Sequence, residues 1–171
     1  RIIWGNETVA IVTDEWYDTR NTKTYIINPS NPSQAPKLIF DRNSQDSYSN
    51  PGNFETKKNQ YNRNILAIEN DNAFLVGDGF TKNGQFPFIT EYNLKNLQSK
   101  RLYTSSYTDK KEDIIEIEDF KKGTVLVQIQ SKNEYPNYYI RNIKQKNKLT
   151  PITTFKNPFE SIKNVSKEVI K

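Results

Sequence analysis

The sequence predicts an all-β fold of about three four-stranded antiparallel units, and three observations carry that reading. Short runs of β-branched and aromatic residues recur along the chain, divided by clusters rich in Asn, Gly, Pro, Asp and Lys. The runs repeat in the same order three times, each round taking roughly 40–50 residues. Helical periodicity is weak everywhere except over residues 159–165, so no segment competes strongly for an α-helix.

The first unit is expected to run through Ile2–Trp4, Val9–Thr13, Thr24–Ile27 and Lys37–Phe40. The second runs through Gly52–Thr56, Ile65–Ile68 (with an extension through Ala73–Val76), Pro87–Tyr92 and Lys100–Tyr103. The third takes Asp113–Glu118, Thr124–Gln130, Asn137–Ile143 and Thr150–Thr154. The units share internal detail. Each third strand carries an aromatic-aliphatic stretch before a polar turn, as in Tyr25-Ile26-Ile27-Asn28 and Tyr138-Tyr139-Ile140-Arg141-Asn142. Each fourth strand is short and follows a lysine.

Four strands over that length is the size of one propeller blade. The expected architecture is therefore a partial β-propeller of about three four-stranded antiparallel blades, over 1–42, 43–107 and 108–156. An ordinary antiparallel sandwich alternates in the same way, but the threefold recurrence of one strand order favours blades. Residues 157–171 break the period and read as a connector, with Pro158, one helical turn and the start of a strand over Ser166–Lys171. In an up-and-down blade, the loops between second and third strands share an end with the connections between blades. Here that set is long and varied: Asp14–Lys23, Asp41–Pro51, Gly77–Phe86, Thr104–Glu112 and Ser131–Pro136. Function tends to sit on such loops.

Composition removes several classes of chemistry. The chain has no His and no Cys, so it cannot build a Ser-His-Asp or Cys-His unit, a thiolate metal site or a disulfide. It contains no Gly-x-Ser-x-Gly elbow and no phosphate-cradling glycine loop, which leaves no expected catalytic residue, metal or cofactor. No apolar run is long enough to span a bilayer. The net charge of +5 sits almost wholly in the second half. Its lysines are scattered through turns such as Lys144–Lys148 rather than gathered with aromatics, so no nucleic-acid partner is expected. With no Met anywhere, the chain reads as a segment of a longer protein.

Three features invite a sharper reading and receive a plain one. The strand Glu112–Asp119 could pair carboxylates, but alternation should put Glu116 and Glu118 on a solvated side and Ile115 and Ile117 on the other. The stretch Asp78–Gly84 lacks the spaced ligands of a calcium loop and reads as a turn. Tyr135, Tyr138 and Tyr139 read as packing between sheets. Arg20 and Arg42 stand apart. An arginine in a structured loop suits carboxylate recognition, and the alternative is an ion pair with Asp14, Asp18, Asp41 or Asp46.

The stretch Leu38–Gly52, with Phe40-Asp41-Arg42 and Tyr48-Ser49-Asn50-Pro51-Gly52 in it, resembles a segment of the glutamyl endopeptidases. These are a branch of the prolyl oligopeptidase family of serine peptidases. Trp16-Tyr17-Asp18-Thr19-Arg20 and the following Thr24–Ile27 are similar to the same branch, except that Asp18 stands where the branch has a basic residue. Gly77–Phe88 and the end from Ile152 onward are similar too. The resemblance implies a non-catalytic propeller segment that gates substrate access and docks a C-terminal α/β-hydrolase domain of the same chain, reached through the 157–171 connector. It also implies a peptide substrate; the compartment stays open, an exported one (periplasmic or secreted) being suggested only by the habits of related bacterial peptidases. Arg20, Arg42, Trp16 and Tyr17 are then the candidates for substrate binding or for the interface between domains. The rival expectation is a propeller that recruits a protein or glycan with no hydrolase attached.

Overall fold

A computed structural model describes residues 1–159 and 161. The connector's expected helical turn and strand over 159–171 lie almost wholly outside the described residues. The rest is all-β, in several antiparallel sheets. Sheet one is a meander of β1 (Ile2–Asn6), β2 (Val9–Trp16), β3 (Asn21–Ile27) and β4 (Lys37–Asn43). All four expected strands are present, each longer than the apolar run that announces it. The polar ends Asp14–Trp16, Asn21–Lys23 and Asp41–Asn43 continue the pairing.

Sheet two departs from expectation. After β5 (Asn53–Phe54) the chain leaves the sheet as a ribbon of β6 (Thr56–Lys58) and β7 (Asn64–Leu66). It returns as β8 (Ile68–Glu69) and turns into β9 (Asn72–Gly77). Both β5 and β8 pair with β9: Asn53 opposite Val76, Phe54 opposite Leu75, Ile68 opposite Ala73 and Glu69 opposite Asn72. They are two halves of one strand, interrupted after Glu55. The stretch expected as the second strand, Ile65–Ile68, thus belongs to the ribbon and to the first strand, and its extension Ala73–Val76 is the true second strand. A small ribbon, β10 (Phe80–Thr81) with β11 (Gly84–Gln85), precedes β12 (Phe88–Asn93) and β13 (Ser99–Thr104). Sheet three is a second plain meander of β14 (Lys110–Asp119), β15 (Thr124–Ser131), β16 (Asn137–Asn142) and β17 (Lys148–Pro151).

The sheets stack face to face, because alternation gives sheet two two apolar faces. Ala73, Leu75 and Tyr92 point toward Ile11 and Ile26 of sheet one in one buried cluster. Phe74, Ile89 and Tyr103 point the other way, into a cluster with Ile117, Val125, Val127 and Ile129 of sheet three. A side chain as buried as Leu75, Ile89 or Val127 contributes roughly 1.5–3 kcal/mol relative to exposure. Tyr139 packs against the second cluster, as expected of that tyrosine, while Tyr138 faces away, opposite Gln128. The outer face of sheet one leaves Ile2 50 %, Trp4 55 % and Leu38 48 % exposed. In β14 the simple alternation fails. Register shifts between Ile114 and Glu116 and between Ile117 and Asp119 leave Ile115 exposed while Ile117 is buried, since each bulge adds a residue and turns the strand.

Candidate functional site

The strand directions collect five connections at one end: residues 17–20, 44–52, 78–87, 105–109 and 132–136. Arg20 and Arg42 both sit there. Arg20 closes the β2–β3 turn at φ 56°, and its guanidinium lies 3.9 Å from the centre of the Tyr17 ring. Its carbonyl accepts the Ser44 N–H at 2.7 Å, which ties this turn to the loop after β4. Tyr17 is 73 % and Trp16 61 % exposed. By register Trp16 projects from the outer face of sheet one, since Glu15 pairs across to Thr22 on the inner face.

Arg42 belongs to that inner face. It stands opposite Thr22, which stands opposite Glu15. Its Nη1 donates to the carbonyls of Asn43 at 2.7 Å and Asp46 at 3.0 Å. The loop is thereby wrapped around the guanidinium. Asp46 accepts the N–H groups of Tyr48 and Ser49. Hydrogen bonds from Ser49 and Tyr48, with the charge of Arg42 nearby, hold its carboxyl below the ordinary range. Among the described residues neither Arg20 nor Arg42 forms an ion pair with a carboxylate. The alternative of a pair with Asp14, Asp18, Asp41 or Asp46 is therefore not what the structure contains. Asp41 instead takes the Asn21 amide at 2.7 Å and faces Lys23 at 3.6 Å.

A groove of ≈ 530 Å³ opens between sheets one and two at this end, lined by Glu15, Thr22, Arg42, Asn50 and Asn53 among others. Thr22 Oγ1 is buried there, without a hydrogen-bond partner among the described residues. The structure thus brings Arg42 to a groove and Arg20 to Tyr17, and it puts Trp16 on the opposite face from Arg42. The groove offers a guanidinium, a hydroxyl, amides and the carboxylates of Asp14 and Glu15, which is chemistry for binding a polar ligand. The exit of the chain is held at the same end. Asn137 Oδ1 accepts from Thr153 Oγ1 at 2.8 Å and from the Phe155 N–H at 2.6 Å, and its Nδ2 donates to the Phe155 carbonyl.

One polar constellation escaped the sequence reading. Glu112 and Arg141, 2 % and 5 % exposed, form a buried pair with Arg141 Nη2 2.7 Å and Nε 2.8 Å from Glu112 Oε1. The Tyr103 hydroxyl donates to the other carboxylate oxygen at 2.6 Å, and Arg141 Nη2 donates to Tyr107 at 3.2 Å. Burial, together with the carboxylate, pushes the Tyr103 phenol well up from its usual value. The signal was present in the sequence: Arg141 occupies an inward position of an aromatic strand, where an arginine needs a partner. Every charge here is satisfied, so the cluster holds sheet three against sheet two rather than offering a site. Among the described residues no group of His, Cys, Asp or Glu is placed to hold a metal, and no helix is long and apolar enough to cross a membrane.

The chain is similar to larger proteins. It is 29 % identical over 187 residues to a probable chloroplastic glutamyl endopeptidase of Arabidopsis thaliana, covering 99 % of this chain and 19 % of the relative. It is 29 % identical over 181 residues to a protein of the same description in Oryza sativa subsp. japonica, covering 98 % of this chain and 19 % of that relative. The chain therefore spans about a fifth of the length of the curated relatives it matches. No family model matches it, and no solved structure matches it.

Proposed function

We propose that this chain is three consecutive blades of a β-propeller within a larger serine peptidase of the glutamyl endopeptidase type. In this reading it is non-catalytic, gates access of peptide substrates and docks an α/β-hydrolase domain of the same polypeptide. The observation that carries the reading is similarity along the whole chain to a fifth of each relative, in a sequence with no His. Three further features support it. Three antiparallel sheets stack face to face, the outer face of sheet one stays apolar, and the elaborated loops share an end. The blades are assigned to 1–42, 43–107 and 108–156, with 157–171 leading toward the hydrolase from the end where Asn137 clamps the chain.

Among the described residues two nitrogens of Arg42 and the neighbouring Thr22 hydroxyl are uncommitted, which makes Arg42 the group best built to receive a carboxylate of the substrate, in a groove that Asp14 and Glu15 also line. Arg20 and the exposed Trp16 and Tyr17 are better placed to meet the hydrolase. The test is Arg42→Ala and Arg20→Ala in the parent polypeptide, assayed on Glu-containing and neutral peptides alongside thermal unfolding. A shielded charge-assisted contact is worth roughly 1.5–3 kcal/mol. Arg42→Ala should therefore lower kcat/KM on the acidic peptide by about one to two powers of ten and spare the neutral one. Equal losses on both peptides that track the melting temperature would make Arg42 a scaffold residue. A fluorophosphonate probe should label the parent polypeptide and leave this segment unlabelled.

A further inference from the structure

The ribbon that interrupts the first strand of sheet two is the one element that neither the strand pattern nor the peptidase reading accounts for. Its base is built firmly. Glu55 N–H donates to the Phe74 carbonyl at 2.8 Å, and Ala67 N–H donates to the Glu55 carbonyl at 2.9 Å, so the strand closes around the insertion. Leu66 and Ala67 are buried. Gly5 of β1 packs on the ribbon's foot: a β-carbon there would stand 3.0 Å from Ile68 Cδ1 and 3.6 Å from Leu66 Cβ, and 2.8 Å from the Val9 carbonyl oxygen of its own hairpin. The tip is equally defined. Asn59 Oδ1 accepts the N–H groups of Tyr61 and Arg63, and Asn62 takes φ 56° to turn the chain.

The chemistry of the ribbon is one-sided. Residues 56–66 hold Lys57, Lys58 and Arg63 and no acid, while the rest of 1–85 holds six basic and ten acidic residues. Lys57 is neutralised at the foot by Glu69, 3.1 Å away. Among the described residues Lys58 and Arg63 have no carboxylate partner, and Tyr61 between them is 73 % exposed. All of β6 is exposed, and its outer edge has no strand partner among the described residues. An open edge recruits an extended chain by main-chain hydrogen bonds. Lysines on that edge repel a second copy of the ribbon. The partner that gains from both features is an extended acidic polypeptide.

We infer that the 56–66 ribbon is a docking element for acidic polypeptide segments, which add to the β6 edge and meet Lys58, Arg63 and Tyr61. In a propeller the first strand of each blade lines the central channel, so the ribbon would project there; this placement rests on the propeller reading, whereas the binding chemistry does not. The experiment uses the 171-residue chain and a fluorescein-labelled (Glu-Val)6 peptide, its (Gln-Val)6 counterpart and a labelled oligouridine, followed by anisotropy at low and physiological salt. The acidic peptide should bind at least about tenfold more tightly than the Gln peptide, with the difference shrinking as salt screens it. The pair Lys58→Ser and Arg63→Ser should weaken it about three- to tenfold. Removing the same two charges elsewhere, by Lys146→Ser and Lys148→Ser, should leave it unchanged. Equal binding of the two peptides, equal losses in both double variants, or oligouridine binding as tight as the acidic peptide would overturn the inference. Should the ribbon variant misfold by circular dichroism, the comparison of the two peptides on the unaltered chain still decides. A failure here would leave the peptidase reading standing, and failure of that reading would leave this binding measurable.

Discussion

The two interfaces between the three sheets are built from similar apolar material and closed in different ways. Between sheets one and two the contact is apolar, with Phe40, Phe54 and Tyr92 gathered at centroid distances of 5.6 to 6.4 Å. Between sheets two and three a charged pair with two tyrosines is sealed in beside the apolar cluster. An apolar face tolerates small slides, because dispersion and area burial are nearly direction-free. A buried carboxylate held by a guanidinium and a phenol tolerates none, because each misplaced bond leaves a desolvated charge. Sheet three is thus fixed in register on sheet two, and sheet one is held mainly by shape.

The largest effect should come from Glu112→Gln, which deletes no volume and strands Arg141. It should cost about 3–5 kcal/mol by urea unfolding, and an apolar pair made by Glu112→Leu with Arg141→Leu should regain most of the loss. If Glu112→Gln were neutral, the contrast between the interfaces would collapse. Leu75→Ala, in the apolar interface, should cost about 3 kcal/mol, with Leu75→Val costing less in proportion to the volume removed.

A smaller effect, of opposite sign, is expected at Glu55. Burial, with the like charge of Glu116 second, raises its carboxyl above the ordinary range. The folded state therefore holds this proton more tightly than the unfolded chain. Its contribution to stability is present at low pH and is lost as pH rises through the window between the ordinary and the raised value. Glu55→Gln should raise the melting temperature at neutral pH and flatten its dependence across that window; an unchanged pH profile would contradict this. The smallest effect belongs to Arg20→Ala. An exposed stack on Tyr17 is worth about 0.5–1 kcal/mol, and a loss above about 2 kcal/mol would mean that Arg20 braces the loops.

Sheets one and three were legible because their strands follow one another through turns with no insertion, although β14 is largely charged and β17 (Lys148–Pro151) begins two residues before the expected Thr150–Thr154. Sheet two was legible only in part. Ile65–Ile68 and Ala73–Val76 are both fit for a strand, and nothing local says which one pairs with Phe88–Asn93. That choice is made by burial of Ala73, Phe74 and Leu75 against two neighbouring sheets at once. The ribbon tip, Asn59–Asn64, reads as a plain polar loop because its turn is fixed by one asparagine side chain. The positions of Arg20 and Arg42 along the chain were readable. Their lack of carboxylate partners was not, since it depends on Asp41 being taken by Asn21 and Asp46 by its own loop. The burial of Glu112 escaped the sequence because a bulge between Ile114 and Glu116 puts it on the opposite face from Glu116, against the simple alternation.

The account turns on these sheets being consecutive blades whose long loops meet a hydrolase, and a crystal or cryo-electron-microscopy structure of the parent polypeptide tests it most directly. The expected result places β1, the composite β5–β8 strand and β14 around a common axis, with a Ser-His-Asp domain over the loops that carry Arg20 and Arg42. A two-sheet sandwich, or a hydrolase seated against the short-turn end, would contradict it.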